Sequence, residues 1–309
     1  MPRVKGPLFS ATAKGSIGDA LTYQEGYGGA RVGSVPRHRD RQTAAQLGQR
    51  RRFSEAKWLW RGMDAATKAD YEGLGAAKRM TGWQYWLRVF LSGELYADAG
   101  LYLPMHEGDG VIAHDFSKYG VNGGITGGVW HRAPSGPPLL SLDGTDDYVE
   151  VTGDTSHLNI TAEPFSIVVR LRISAPLAGG IIYCRGLQST DGYVLYYNSL
   201  GVIFFQTSQS GAFQQTRSSA GSIVTGTWLT VGISRKGASA GIYVNGVAKT
   251  QFPVAHTNPA TSSRTIKVGI YDNKVSSPVK GRIASLLVVD RSLTEQEHLA
   301  WHKLLSCEG

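Results

Sequence analysis

The sequence predicts a mainly β protein. An antiparallel β-sandwich over residues 100–309 is preceded by an extended basic arm over 1–42 and a small three-helix segment over 43–99. Three observations predict it. Glycine is abundant, at 39 of 309 residues, alongside 14 Tyr and only 18% charged residues, a mix that favours strands and tight turns over helix bundles. Beyond residue 100 the apolar pattern takes a period of two, interrupted by Gly, Ser, Asn and Asp. The basic excess lies at one end: residues 1–100 hold 16 Lys and Arg against 9 Asp and Glu, while the remainder holds 16 against 15. Such asymmetry marks an arm that meets something acidic, either nucleic acid or a protein surface.

The same figures exclude several classes. A chain of 309 residues with 41% hydrophobic residues suits two domains and a real core, not extended disorder. Two cysteines, Cys184 and Cys307, make neither a disulfide framework nor a CxxC metal motif. Apolar runs such as 286–289 fall far short of the roughly 18–20 residues of a membrane span, so no membrane insertion is expected. No apolar signal-peptide core forms before Gly15 or Gly26, so export by the general secretory route is not expected.

In the arm, residues 1–42 carry ten Gly or Pro and no sustained period. Residues 17–24 and 30–35 can pair as a small hairpin around Gly26, Gly28 and Gly29. Helical signals follow. Thr43 and Gln46 form a capping box, and Phe53, Ala56, Trp60 and Met63 repeat at spacings of 3, 4 and 3. Asp64 caps a second helix over 65–74, and Thr81 with Gln84 opens a third through about Leu95. Four of the seven tryptophans (Trp58, Trp60, Trp83 and Trp86) lie here. Arg50, Arg51 and Arg52 read either as a phosphate contact or as a solvated, subunit-facing side of a helix, the commoner meaning of such a run. A helix-turn-helix lacks its compact turn.

Residues 10–23, 32–36 and 41–46, with Arg52-Phe53, Trp58-Leu59, Asp70-Tyr71 and 81–87, resemble an N-terminal module of structural proteins in tailed bacteriophages and prophages. The resemblance covers about 90 residues and implies a virion component rather than a chemistry. Under it, Arg41, Arg50, Arg51, Arg52, Trp58, Trp60, Trp83 and Trp86 become the candidate particle-anchoring residues.

Strands are expected at 165–173, 180–184, 193–197, 202–206, 228–234, 241–244, 265–270 and 283–289. Asn245-Gly246 between Val244 and Val247 is a hairpin signal, because both central positions of a type I′ turn need positive φ. Thr294 caps a closing helix, with Glu295 and Glu297 in its first turn and Leu299, His302 and Leu305 on a face.

The segments 103–117 (with Glu107, Asp115 and Phe116), 140–151 (with Asp143, Gly144 and Tyr148), 165–172, 228–234, 242–247 and 281–297 stand in the order of laminin-G-like domains. The region resembles this branch of the concanavalin A-like lectin/glucanase superfamily, which implies a jelly-roll sandwich but does not fix function.

Glycosidases share that superfamily, so a pair of facing carboxylates would mark this chain as an enzyme. Glycoside hydrolysis needs two carboxylates about 5–9.5 Å apart. The glucanases' Glu-x-Asp-x-x-Glu pattern is approached only at Glu107-Gly-Asp109-Gly-Val-Ile112, where the third carboxylate is missing. His298 and His302 are four apart without a third metal ligand, and no nucleophile elbow or phosphate loop is present. No catalytic residue, metal ligand or cofactor is therefore assigned. Asp143, Asp146 and Asp147 could offer oxygens to calcium, but they equally form a turn. Many relatives carry an acid where this chain has Ala284, so the turn is preferred.

Aromatic faces suit sugar rings, making Tyr193, Tyr196, Tyr197, Phe204, Phe205 and Phe213 candidates, of which alternation lets about half face outward. The expectation is a virion protein that assembles in the host cytoplasm and leaves by lysis, carried in several copies. Its first hundred residues would anchor to other virion proteins and its sandwich would bind surface glycans. A lysis-released glycan hydrolase and a DNA-binding protein are the alternatives.

Overall fold

The computed structural model describes residues 43–132 and 137–306, together with the backbone of three short strands before them. Those strands, β1 (Gly15–Ile17), β2 (Leu21–Gly26) and β3 (Gly29–Ser34), form an antiparallel ribbon in which Gly26 pairs with Gly29, as the glycine-flanked turn predicts.

Three helices follow, each begun by the cap its sequence announces. At α1 (Ala44–Gly62), the N–H of Gln46 donates to Thr43 Oγ1 at 3.3 Å and that of Thr43 to Gln46 Oε1 at 3.0 Å. At α2 (Ala65–Ala76), Asp64 accepts from the N–H of Thr67 at 2.7 Å. Thr81 and Gln84 close a reciprocal box on α3 (Gly82–Ser92). Gly93, at φ 79°, stops that helix at Ser92, short of the Leu95 expected from its pattern.

The strands then run β4 (Ala99–Leu103), β5 (Ile112–Ala113), β6 (Gly123–Thr126), β7 (Val129–His131), β8 (Leu139–Asp143), β9 (Tyr148–Val151), β10 (Phe165–Ile173) and β11 (Gly179–Leu187). They continue with β12 (Asp191–Asn198), β13 (Ile203–Gln209), β14 (Ala212–Ser218), β15 (Trp228–Lys236), β16 (Ser239–Val244), β17 (Val247–Ala248) and β18 (Thr250–Phe252). Last come β19 (Ile266–Val268), β20 (Lys280–Val289) and α4 (Glu295–Leu305). They build two antiparallel sheets. One has eight strands in the order β17-β16-β15-β10-β20-β8-β7, with β4 also on β20; the other has nine, β18-β14-β13-β12-β11-β19-β9-β6-β5. This is the predicted jelly-roll sandwich.

Between the sheets, Ile167, Val169, Leu171, Leu286 and Val288 pack with Leu195, Tyr197 and Phe205 in one apolar core. On the other side of the eight-stranded sheet, Tyr102, Val168, Leu287 and Val289 meet Ala56, Leu59 and Met63 of α1, Trp86 and Phe90 of α3, and Leu305 of α4. Strands β10 and β20 are thus buried on both faces, which explains why 286–289 reads as an unbroken apolar run. The sequence separates 43–99 from 100–309, whereas the compact unit runs from Gly48 to Gly309. The reason is this second core, which neither the helices nor the sheet could bury alone.

Helix α4 is fixed by histidines. His298, 2% exposed, places Nε2 2.8 Å from Ser234 Oγ, and His302 Nδ1 lies 2.9 Å from Thr230 Oγ1. The buried face is therefore His298 and Leu305, while Leu299 is 38% exposed. Asn245 and Gly246 take φ of 53° and 79°, as a type I′ turn requires. Gly246 is needed twice over, since a Cβ there would lie 2.4 Å from Leu299 Cα.

Candidate ligand-binding face

Strand register sets a row of side chains across the outer face of the nine-stranded sheet. Glu150 of β9 stands opposite Lys267 of β19, followed in register by Cys184, Val194, Gln206 and Gln215 of β11 to β14. The next row is Ile181, Tyr196, Phe204 and Arg217. Alternation sorts the six candidate aromatics as strand geometry demands. Tyr193, Tyr197 and Phe205 are buried in the core, while Tyr196 and Phe204 are half-buried on the outer face and Phe213 is exposed there.

The outer pair is ordered. The rings of Tyr196 and Phe204 stack with centroids 4.7 Å apart and planes 4° from parallel. Gln215 Nε2 donates to Tyr196 Oη at 2.6 Å and to Gln206 Oε1 at 2.9 Å, and Gln206 Nε2 donates to Ser208 Oγ at 3.0 Å. Beside them lies a slot of ≈ 280 Å³, with Ile181 and Val194 among its lining and Tyr196 and Tyr271 packed against these apolar residues. Tyr271 comes from the loop after β19, and its Oη accepts the N–H of Gln188 at 2.9 Å. Burial pushes the Tyr196 phenol up to about 12 and raises that of Tyr271, so both keep their protons near neutral pH.

A charge cluster borders the slot. Lys267 Nζ lies 2.8 Å from Asp272 Oδ1 and 3.7 Å from Glu150 Oε1. Lys274 reaches Glu150 Oε2 at 2.9 Å, and Arg264 bonds Asp272 and also lies 3.3 Å from Asp191. Burial alone would raise the carboxyls of Glu150 and Asp272, but hydrogen bonds from Thr265 and Lys274 to the first, and from Lys267 and Arg264 to the second, hold both below their usual range. A glycosidase acid needs the opposite shift. The cluster ties β9, β19 and the following loop together.

The carboxylates singled out by sequence lie elsewhere. Glu107 is half-buried in the loop after β4, where desolvation raises its carboxyl and Oε1 accepts the N–H of His114 at 2.7 Å. Asp109, 83% exposed, faces Arg132 at 3.9 Å. Asp143, Asp146 and Asp147 bring carboxylate oxygens within 4.8 Å of one another. Asp147 Oδ2 accepts the N–H of Asp143 at 2.7 Å and Asp143 Oδ1 that of Thr145 at 2.7 Å, bonds that belong to a turn.

The candidate anchoring residues separate. Arg50 is exposed on α1, Arg51 and Arg52 are half-buried, and the Arg52 guanidinium stands 5.7 Å from the centre of the Phe116 ring. Trp58 and Trp60 are half-buried, with Arg61 over Trp58 and the rings of Trp60 and Trp83 5.8 Å apart. Trp86 is fully buried and donates its indole N–H to the Ala56 carbonyl at 2.9 Å, so it is core and not a partner contact. Arg41 lies outside the described residues. Sequence reasoning missed Gln188, Gln206, Gln215, Tyr271 and Asn273. The outward phase of Gln206 with Phe204 on one strand, and of Gln215 with Phe213 on the next, was the available signal.

Residues 143–297, half of the chain, match the family model described as the concanavalin A-like lectin/glucanases superfamily, of the laminin-G type. No curated protein matches the sequence. Among solved structures, the chain is similar to one of botulinum neurotoxin type C, whose cell entry depends on interaction with two ganglioside molecules. There the identity is 16% and the TM-score 0.51 over 69% of this chain and 52% of that one. It is also similar to the binding domain of botulinum neurotoxin serotype D, at 15% identity and TM-score 0.52 over 67% and 52%. The chain spans about half the length of these solved chains, and the likeness shows a shared fold. On the family match over half its length, and on the two antiparallel sheets that carry it, the chain belongs to the concanavalin A-like lectin/glucanases superfamily.

Proposed function

We propose that this chain is a structural component of a tailed-phage virion, anchored through its N-terminal region and displaying the sandwich to bind surface glycans. One observation carries the reading: the helices cover the outer face of the eight-stranded sheet, and the nine-stranded sheet presents Tyr196, Phe204, Phe213, Gln215 and Arg217 outward. Helix α1 adds exposed Arg50, Lys57 and Arg61 beside half-buried Trp58 and Trp60, a composition typical of interface hot spots. The phage-module resemblance of the first 90 residues supplies the virion context. Several copies on one particle would raise avidity for a repetitive glycan surface without any new contact.

The test uses the full chain with Arg50→Glu, Lys57→Glu and Arg61→Glu, mixed with particles lacking the protein and sedimented. Wild type is expected in the pellet and the triple variant in the supernatant, with glycan binding retained. Equal co-sedimentation would overturn anchoring by α1. Binding of the wild type to duplex DNA with steep salt dependence, lost in the variant, would make nucleic acid the partner of this basic stripe instead.

A further inference from the structure

Resting on the glycan-binding reading, we infer that the slot between Tyr196 and Tyr271 is a cation-independent subsite for a single uncharged sugar ring. Three features of its lining argue for this ligand class. First, a pyranose presents apolar C–H patches and a rim of hydroxyls, and the slot offers the complement. Ile181, Val194 and the two tyrosines are its apolar part, and the amides and hydroxyls of Gln188, Gln206, Asn273, Ser276 and Ser277 its polar part. At ≈ 280 Å³ it falls just under the roughly 300–1,000 Å³ of pockets that enclose drug-sized ligands, a scale suited to one ring.

Second, among the described residues no charged side chain lines the slot. The neighbouring ions are committed to one another, Lys267 to Asp272 and Glu150, and Arg264 to Asp272 and Asp191. A sialic or uronic acid carboxylate placed here would enter without a counter-ion, beside Asp272, and an unpaired buried charge is costly. Among the described residues the lining also contains no carboxylate, the charged oxygen ligand from which calcium sites draw much of their affinity.

Third, the slot is built in advance. Asn273 Oδ1 accepts the N–H groups of Val275 at 3.1 Å and Ser276 at 2.9 Å, while its Nδ2 donates to Ser276 Oγ at 2.8 Å. The N–H of Ile181 donates to the Ser277 carbonyl at 3.0 Å, pinning the loop to β11. Lys274 and Ser277 hold positive φ, 61° and 51°, without being glycine. Such backbone persists where surroundings over-determine it, and it clusters at ligand clamps. A preformed slot spares a weakly binding sugar the cost of ordering a loop.

The experiment is saturation-transfer NMR and titration of the full chain in EDTA. The probes are cellotetraose, maltotetraose, lacto-N-neotetraose, the sialylated form of the last, and a tetragalacturonate. At least one neutral probe is expected to bind. Tyr271→Ala should weaken it about tenfold, the ordinary effect of truncating an aromatic hot spot, while Lys236→Ala, exposed at the end of β15 in the other sheet, leaves it unchanged. Tyr271→Phe, which keeps the ring, guards against a folding defect and should weaken binding less. Binding confined to the acidic probes, lost in EDTA, or indifferent to Tyr271→Ala overturns the inference while glycan binding by the chain stands. Failure of every probe overturns it too. If host surfaces are then also not bound, the glycan-binding reading falls with it.

Discussion

Trp86 donates its indole N–H to the carbonyl of Ala56 across 2.9 Å of buried space, joining the third helix to the first. A ring with no exposed surface, hydrogen-bonded to a neighbouring helix, is a structural member of the core. Trp86→Ala should therefore cost about 3–5 kcal/mol in denaturant unfolding. Trp83→Ala, at a half-buried position, should cost less. Equal losses would refute the distinction.

Removing residues 1–99 should not release a soluble sandwich. It would uncover Tyr102, Val168, Leu287 and Val289 together, an apolar patch now closed by α1 and α3. A chain begun at residue 100 is expected to bind a hydrophobic dye and elute as aggregate in size exclusion. A monodisperse, dye-silent product would show that the helical layer is dispensable.

Acid should weaken the fold before ordinary carboxylates titrate. Burial holds His298 and His256 down to about 4, so the unfolded chain, with histidines near 6.5, binds more protons than the native one as pH falls. The stability these neutral histidines carry is complete above about 6.5 and is lost progressively toward pH 4. The slope should approach about 1.4 kcal/mol per pH unit for each histidine, measured by urea unfolding at stepped pH. His256→Gln with His298→Gln should flatten it. The depressed carboxyls of Glu150 and Asp272 add the same sign, but only at the acid end of this window. A wild-type curve flat from pH 6.5 to 4.5 would contradict the assignment.

Calcium should leave the unfolding temperature unchanged relative to EDTA, because the turn already uses Asp143 Oδ1 and Asp147 Oδ2 as acceptors for backbone N–H groups. A rise of several degrees that scales with calcium concentration would mean that the ion competes successfully with the turn.

Features decided within a few residues were legible in the sequence. Thr43, Asp64, Thr81 and Thr294 all cap helices in the structure, and Asn245-Gly246 makes its turn. Those choices depend on the neighbouring backbone alone. Which tryptophan faces inward was not legible, because Trp83 and Trp86 sit one helical turn apart and either could meet α1. The slot was hidden for a stronger reason. Ile181, Val194 and Tyr271 are brought together only by the pairing of β12 and β19 on either side of β11, and its polar residues are of types that surface loops use everywhere. The sandwich was readable from period two, but the second apolar layer left only the unbroken run at 286–289 as its trace.

Cys184 stands in the outward row between Lys267 and Val194, yet it is buried and its Sγ lies 3.2 Å from the Gly186 carbonyl. Burial, with the Asp272 charge nearby, pushes the thiol up to about 12, so almost no thiolate exists at neutral pH. An alkylating reagent can reach it only when the side chains and the Tyr271 loop that cover it move aside. In a Cys307→Ser background this sulfur becomes a clock for the slot. Its labelling rate would time spontaneous lifting of that cover, and a bound sugar that holds the cover down would slow it.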